Sequence, residues 1–396
     1  MFEQVILFLM RKRKKSNNQD INKIASPNVM KHVAEVSMIE DNKTILLSNP
    51  SVEIIIDKDD EIPSTEIKDQ PIKETQKEET ITPVEVTVSE PIEVKHEKSF
   101  SNNFSDITPS SEIAHWLIVS ASSIGRSHLK SDIPCQDNHY VESINEKWGI
   151  TICCDGAGSA INSHLGSKYV ATEIGIKFFK ELIIKNGWQE KNTLPTQEEW
   201  NKSAREGCIQ IYNSLEKLAH DKQIILSSLA CTLIVVIYSP IGLLVTHIGD
   251  GRAGYCNEYG EWHSLITPHK GEEANQTIFI TSQKWITDTD FIMSGKQVPE
   301  SHVINEKPNA FTLMSDGCEL HSFECSIMDP ETNKWHDPNI PYPKFFNPLV
   351  KNLRSMHESK TSIDSANNKW RKFIEEGSAA IEAEPDDKTM ILGVLI

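Results

Sequence analysis

The sequence predicts an α+β fold in which two antiparallel sheets pack face to face and helix pairs cover them. Three observations carry this. Short apolar runs bounded by glycine, proline or asparagine turns recur from residue 115 to the C-terminus and read as strands. Two stretches among them repeat apolar residues at helical spacing: Leu165, Val170, Ile174, Phe178 and Leu182, then Trp200, Cys208, Ile211, Leu215 and Leu218. A second helical pair follows at 345–357 and 363–376, just before a final strand at 390–396. The order is β-β-α-α, several strands, then α-α-β, which suits two packed sheets with helices outside.

Taken in order, the first strand is expected at 115–122, and Gly125 begins a polar loop. Residues 140–143 start the next strand, and 148–154 form its hairpin partner. Helices are expected over 163–185 and 196–219. The continuous apolar run 229–238 reads as a sandwich interior, and the turn Ser239-Pro240-Ile241-Gly242 leads into 243–248. Gly249-Asp250-Gly251 opens onto 252–257, and Gly260 turns the chain into 262–266. Further strands are expected at 277–281, 287–293 and 310–314. Ser362 is placed to cap the helix 363–376, with Gly377 at its close.

Composition divides the 396 residues unevenly. Every glycine lies at Gly125 or later, every cysteine at Cys135 or later, and no Phe, Trp or Tyr falls between Phe8 and Phe100. A segment without aromatics buries too little apolar area to offset its ordering entropy. Residues 1–110 are therefore expected to be a disordered tail, and 113–396 one globular domain. The tail reads as a solvated linker, with a tether or docking segment as the functional alternative. Its apolar start, MFEQVILFLM, precedes the basic RKRKK, the reverse of a signal peptide, and is shorter than the ~20 residues that span a bilayer. An unstructured terminus is the reading, with an interfacial membrane anchor as the alternative. A net charge of −17 argues against a nucleic-acid partner. The eight cysteines lack metal-ligand spacing and read as reduced thiols of a cytoplasmic protein.

The chemistry concentrates where strands end in aspartate. ITICC runs straight into Asp155, followed by Gly-Ala-Gly-Ser; FTLMS runs into Asp316-Gly317; and Pro385-Asp386-Asp387-Lys388-Thr389 precedes the last strand. A carboxylate at the tip of a buried strand is costly unless something positive meets it. The small residues beside it let backbone and ion approach closely. One Asp-Gly is ordinarily a turn. Three strand ends of this kind could bring three carboxylates to one or two hard divalent cations.

With CQD at 135–137, ACT at 230–232 and IGDGR at 248–252, these motifs resemble the metal-dependent protein phosphatase family, also called protein phosphatase 2C, in its bacterial branch. The resemblance spans 119–395. It implies a four-layer α-β-β-α sandwich, two Mn²⁺ or Mg²⁺ ions with a possible third, and hydrolysis of phosphoserine or phosphothreonine in a phosphoprotein substrate, made by a cognate kinase. It implies that Asp155 bridges the ions, that the Gly156 carbonyl and Asp316 are ligands, and that Asp386 is the last ligand. Asp387 is held in reserve, standing where relatives usually have Asn. Asp137 matches an acid near the ions' water shell, although Gln136 replaces a common Glu. The phosphate-gripping cation is Arg126, with His128 and Lys130 as alternatives. Ala157 replaces the His of eukaryotic relatives, which leaves water or His164 to protonate the leaving group. Glu272 and Glu273 are candidates for a third ion, and Asp250 is expected to anchor Arg252 or loop amides, with direct contact to an ion as the alternative. The runner-up function is a non-catalytic, partner-binding regulator. No cysteine has an arginine five or six residues on, so a cysteine-phosphatase loop is absent.

Overall fold

The computed structural model describes residues 114–271 and 276–396. The expectations for residues 1–110, for the membrane anchor and for Glu272 and Glu273 lie outside the described residues. Along the chain come β1 (Trp116–Ser123), α1 (Arg126–Ser131), β2 (Asn138–Ser143), β3 (Gly149–Cys154), α2 (Ser163–Tyr169), α3 (Gly175–Asn186) and α4 (Gln197–Asp221). Then follow β4 (Leu233–Ser239), β5 (Gly242–Ile248), β6 (Arg252–Asn257), β7 (Trp262–Ser264), β8 (Glu300–Ile304) and β9 (Pro308–Met314). The chain closes with α5 (Pro343–Glu358), α6 (Ile363–Glu376) and β10 (Lys388–Leu395).

These strands form two five-stranded antiparallel sheets, β1-β10-β9-β6-β7 and β8-β5-β4-β3-β2. β3, β4, β5, β6 and β10 are buried along their whole length, and β3 and β4 accordingly read as near-continuous apolar runs without alternation. Three apolar layers result. Ile234, Val236 and Val245 of one sheet meet Phe311, Leu313 and Ile391 of the other between the sheets. Outside the second sheet, Ile150, Ile152 and Val235 pack on Phe179, Trp200 and Ile211 of α3 and α4. Outside the first, Met390, Leu392 and Val394 pack on Phe346, Trp370 and Phe373 of α5 and α6. The α-β-β-α order predicted from sequence is the order observed.

Each helix layer is pinned by a tryptophan. Trp200 Nε1–H donates to the Val245 carbonyl at 2.8 Å, and Trp370 Nε1–H donates to the Met390 carbonyl at 2.9 Å. Both rings are fully buried, so the bond satisfies a donor that would otherwise be orphaned. α4 starts on a reciprocal cap in which the Thr196 side chain accepts from the Glu199 amide and the Glu199 carboxylate returns to the Thr196 amide. Ser362 caps α6, as its position implied.

Three local expectations are corrected. The loop after Gly125 contains α1, a helix with no buried residue and hence no apolar stripe to reveal it. The helix 163–185 is interrupted by a π-helical turn at Val170–Ile174. Strands expected at 277–281 and 287–293 reduce to an isolated bridge at Thr277 and a two-residue pairing at Ile292–Met293, with a short helix at Gln283–Thr287 between them. Their apolar residues are spent on loop packing: Ile278, Ile280 and Trp285 plug the α3–α4 layer. No helix among the described residues is long and apolar enough to cross a membrane.

Candidate active site

The ends of β3, β9 and β10 reach the same edge of the two packed sheets. Sheets stack about 10 Å apart, a gap that aspartates projecting from facing strand ends can close. Asp155 follows β3 and is sewn in place by ACT: its amide donates to Thr232 Oγ1 at 2.9 Å, and its carbonyl accepts from the Thr232 amide at 2.7 Å. The Ala157 amide adds a bond to the Ala230 carbonyl at 3.0 Å. A Cβ on Gly156 would stand 2.7 Å from the Gln136 carbonyl, so glycine lets CQD lie against this turn. Asp316 follows β9. A Cβ on Gly317 would sit 2.0 Å from the Asp387 carbonyl, so this glycine admits the Asp386-Asp387 backbone alongside.

Electrostatics show which carboxylates converge. Asp155 is held well above the ordinary carboxylate range by burial first, then by the charges of Asp137, Asp316, Asp250 and Asp386. Asp316 is pushed up to about 7 by burial, Asp250 and Asp386, with a side-chain hydrogen bond to Asp155 acting the other way. Asp155, Asp250 and Asp316 are half-buried and Asp386 is exposed, so the group opens to solvent. Asp316 Oδ1 is buried without a hydrogen-bond partner. An all-oxygen donor set with uncompensated negative charge and one orphaned oxygen fits hard divalent cations such as Mg²⁺ or Mn²⁺.

Asp137 and Asp387 sit deeper. Asp137 is 3% exposed, its Oδ2 accepts from Ser315 Oγ at 2.6 Å, and Ser315 Oγ accepts in turn from the Thr389 amide at 2.9 Å. Burial, with Asp387 and Asp316 nearby, pushes its carboxyl up to about 8 against the Ser315 bond. Asp387 is 2% exposed and uses both oxygens on backbone: Oδ1 accepts from the Gly125 amide and Oδ2 from the Gln136 amide, each at 2.6 Å. His128 Nδ1 also lies 3.0 Å from Asp387 Oδ1. Asp387 thus ties the loop before α1 to CQD, whereas Asp386 belongs to the open carboxylate group.

Arg126 is exposed in the first turn of α1, whose leading amides at Arg126 and Ser127 donate to the Glu384 and Pro385 carbonyls at 3.0 Å. That anchors the Arg126 backbone next to Asp386. Lys130 is exposed on the same helix. Asp250 departs from the first expectation only in its partner. It does not bond Arg252, whose buried guanidinium goes to Glu319, Asp337 and Asn339 at 2.6–3.0 Å. Asp250 instead joins the carboxylates around Asp155 and Asp316. Its Gly-Asp-Gly setting was the available signal.

The matched motifs now have a common place. The family model of protein phosphatase 2C matches residues 124–370, which spans CQD, DGAGS, ACT, IGDGR and SDG. The chain belongs to the protein phosphatase 2C family. As a member it is a protein phosphatase of the serine/threonine class, in a family that depends on Mn²⁺ or Mg²⁺. Serine/threonine-protein phosphatase 3 of Escherichia coli (strain K12) is 26% identical over 285 residues, covering 70% of this chain and 98% of that protein. Among solved structures, a bacterial serine phosphatase superposes with a TM-score of 0.42 at 14% identity, covering 71% of this chain and 98% of that one. The catalytic domain of the serine threonine phosphatase PstP, in complex with two manganese ions, gives 0.41 at 12% identity, covering 72% and 100%.

Proposed function

We propose that this phosphatase hydrolyses phosphoserine and phosphothreonine residues of protein substrates by direct attack of water on phosphorus, with two Mn²⁺ or Mg²⁺ ions held by Asp155, Asp316, Asp386 and the Gly156 carbonyl. The observation that carries this is the uncompensated group of Asp155, Asp316, Asp250 and Asp386 at one sheet edge, with its unpartnered oxygen on Asp316. When bound, the ions supply Lewis-acid activation of water and neutralise phosphoryl charge. The protein's own residues do the rest. Asp155, fixed at both backbone ends by Thr232, presents its carboxylate at a set depth. Asp137, oriented by Ser315, stands behind Asp155 as the acid placed near the ions' water shell. Arg126, carried beside Asp386 by α1, meets the phosphoryl oxygens. Asp387, already bonded to two amides, fixes the loop that presents Arg126 and holds no ion.

No phosphoenzyme is required. Burial raises the thiols of Cys153 and Cys154 well above their ordinary range, so neither supplies a thiolate. All eight cysteines are free, in keeping with a reducing, cytoplasmic setting. We take 113–396 as the catalytic domain, residues 1–110 as lying outside it, and a serine/threonine kinase as the source of substrate. The test is hydrolysis of para-nitrophenyl phosphate in Mn²⁺. Asp155→Asn, with its circular dichroism unchanged, is expected to reduce turnover to the level of the enzyme-free control; wild-type turnover in that variant would contradict the assignment.

A further inference from the structure

We propose that His247, His269 and Glu300 form a second metal site, separate from the aspartate group, for one late first-row divalent cation such as Zn²⁺. The three residues come from β5, the loop after β7 and the first position of β8. Glu300 and His247 are direct cross-strand partners, and the His269 ring stacks on His247 with centroids 4.2 Å apart and planes 11° from parallel. His247 and His269 are fully buried and Glu300 is 5% exposed. One ligand atom from each lies within 4.8 Å of the others.

The hydrogen bonds leave these donors free. His247 Nε2–H donates to the Thr267 carbonyl at 3.0 Å, which fixes the tautomer and leaves the Nδ1 lone pair bare. That Nδ1 is buried without a hydrogen-bond partner and stands 3.7 Å from Glu300 Oε2. His269 Nε2 is likewise buried and unpartnered. The Glu300 carboxylate is aimed by the Thr267 amide at 2.8 Å and by His302 Nε2 at 2.7 Å. A protonated His247 would pair with Glu300, but desolvation, together with neighbouring His269, holds its ring well below the usual histidine range. A bare His247 Nδ1 and an unpartnered His269 Nε2–H, both buried beside a carboxylate, are costly to leave unsatisfied.

The donor types decide the class of ion. Two imidazoles and one carboxylate suit Zn²⁺ and its neighbours, whereas Mg²⁺ and Mn²⁺ favour the all-oxygen aspartate group. Bonds of about 2.0–2.1 Å place tetrahedral donors roughly 3.4 Å apart. The 3.7 Å His247–Glu300 spacing already approaches this, and the His269 ligand atom, within 4.8 Å of the other two, must close the remaining distance by turning its ring. A cavity of about 340 Å³ reaches Glu300 and His302 from outside, with Lys296 and Arg205 also in its wall. Ligation through His269 Nε2 moves its ring proton to Nδ1, which ends the long 3.3 Å contact from the Gly249 amide. Gly249 precedes Asp250, so the ion's presence is felt at the edge of the aspartate group.

The test uses the full chain, stripped with a chelator and kept in excess Mg²⁺ to occupy the oxygen-donor site. On titration with Co²⁺, one equivalent is expected to give the visible absorption of tetrahedral Co²⁺, bleached by one equivalent of Zn²⁺. Glu300→Gln, which can still accept from the Thr267 amide, should weaken this binding at least about tenfold. His269→Gln should do the same, and Glu300→Gln keeps the test open if that variant fails to fold. Absence of tetrahedral bands in the wild type, or equal bands in Glu300→Gln, would overturn the proposal.

Discussion

Two regions of this molecule withdraw carboxylates from water, and they resolve the resulting charge in opposite ways. Around Arg252, Glu319 and Asp337 close on a guanidinium that is itself fully buried, stacked 5.7 Å from the Phe323 ring and bonded also to Asn339. Around Asp155, the strongest neighbouring charges are all carboxylates. The first region is complete with protein atoms alone. The second is not. A buried negative cluster without an internal cation is a place prepared for an external one.

Breaking the complete region should have the larger effect on stability. Arg252→Met leaves Glu319 and Asp337 with only the exposed Lys270 as a shared cation. We expect a loss of about 3 kcal/mol in urea unfolding, the lower end for a broken buried pair because both acids keep some contact with water. A change below about 0.5 kcal/mol would mean that Arg252 is no more than a surface pair.

The incomplete region predicts a smaller effect with a definite sign. With Asp316 raised to about 7 and Asp137 to about 8, the folded, metal-stripped protein binds more protons than the unfolded chain between about pH 4 and 8. Stability is therefore greatest below the unfolded carboxylate range and falls as pH rises through that window. The melting temperature of stripped protein should drop by several degrees from pH 5 to pH 8, and saturating Mn²⁺ should flatten the profile. A stripped profile that is flat or rises over the same range would contradict this, because neither burial nor mutual repulsion would then be raising the aspartates.

Legibility in the sequence followed the reach of each interaction. β6 and α6 were readable to the residue, since the Gly249-Asp250-Gly251 turn and the Ser362 cap are local signals. The strand-to-aspartate pattern was local too, and it pointed to Asp155, Asp316 and the 386–387 pair. What separates Asp386 from Asp387 is not local: two backbone amides from residues 125 and 136 claim one of them. The nearest acid in sequence to Arg252 was Asp250, yet its partners arrive from 319 and 337. β8 was unseen because four of its five residues are half-buried, which blurs the alternation of an edge strand. His247, His269 and Glu300 share no spacing rule at all; only the β5–β8 register brings two of them side by side.

The central claim is that carboxylates from three strand ends surround divalent cations at one sheet edge. Crystals grown with Mn²⁺ and measured at its absorption edge test it directly. The account predicts anomalous peaks in contact with Asp155 and Asp316, with Asp386 facing them and Asp387 still on its two amides. Peaks absent from that edge, or an Asp155 carboxylate turned away from Asp316, would contradict it.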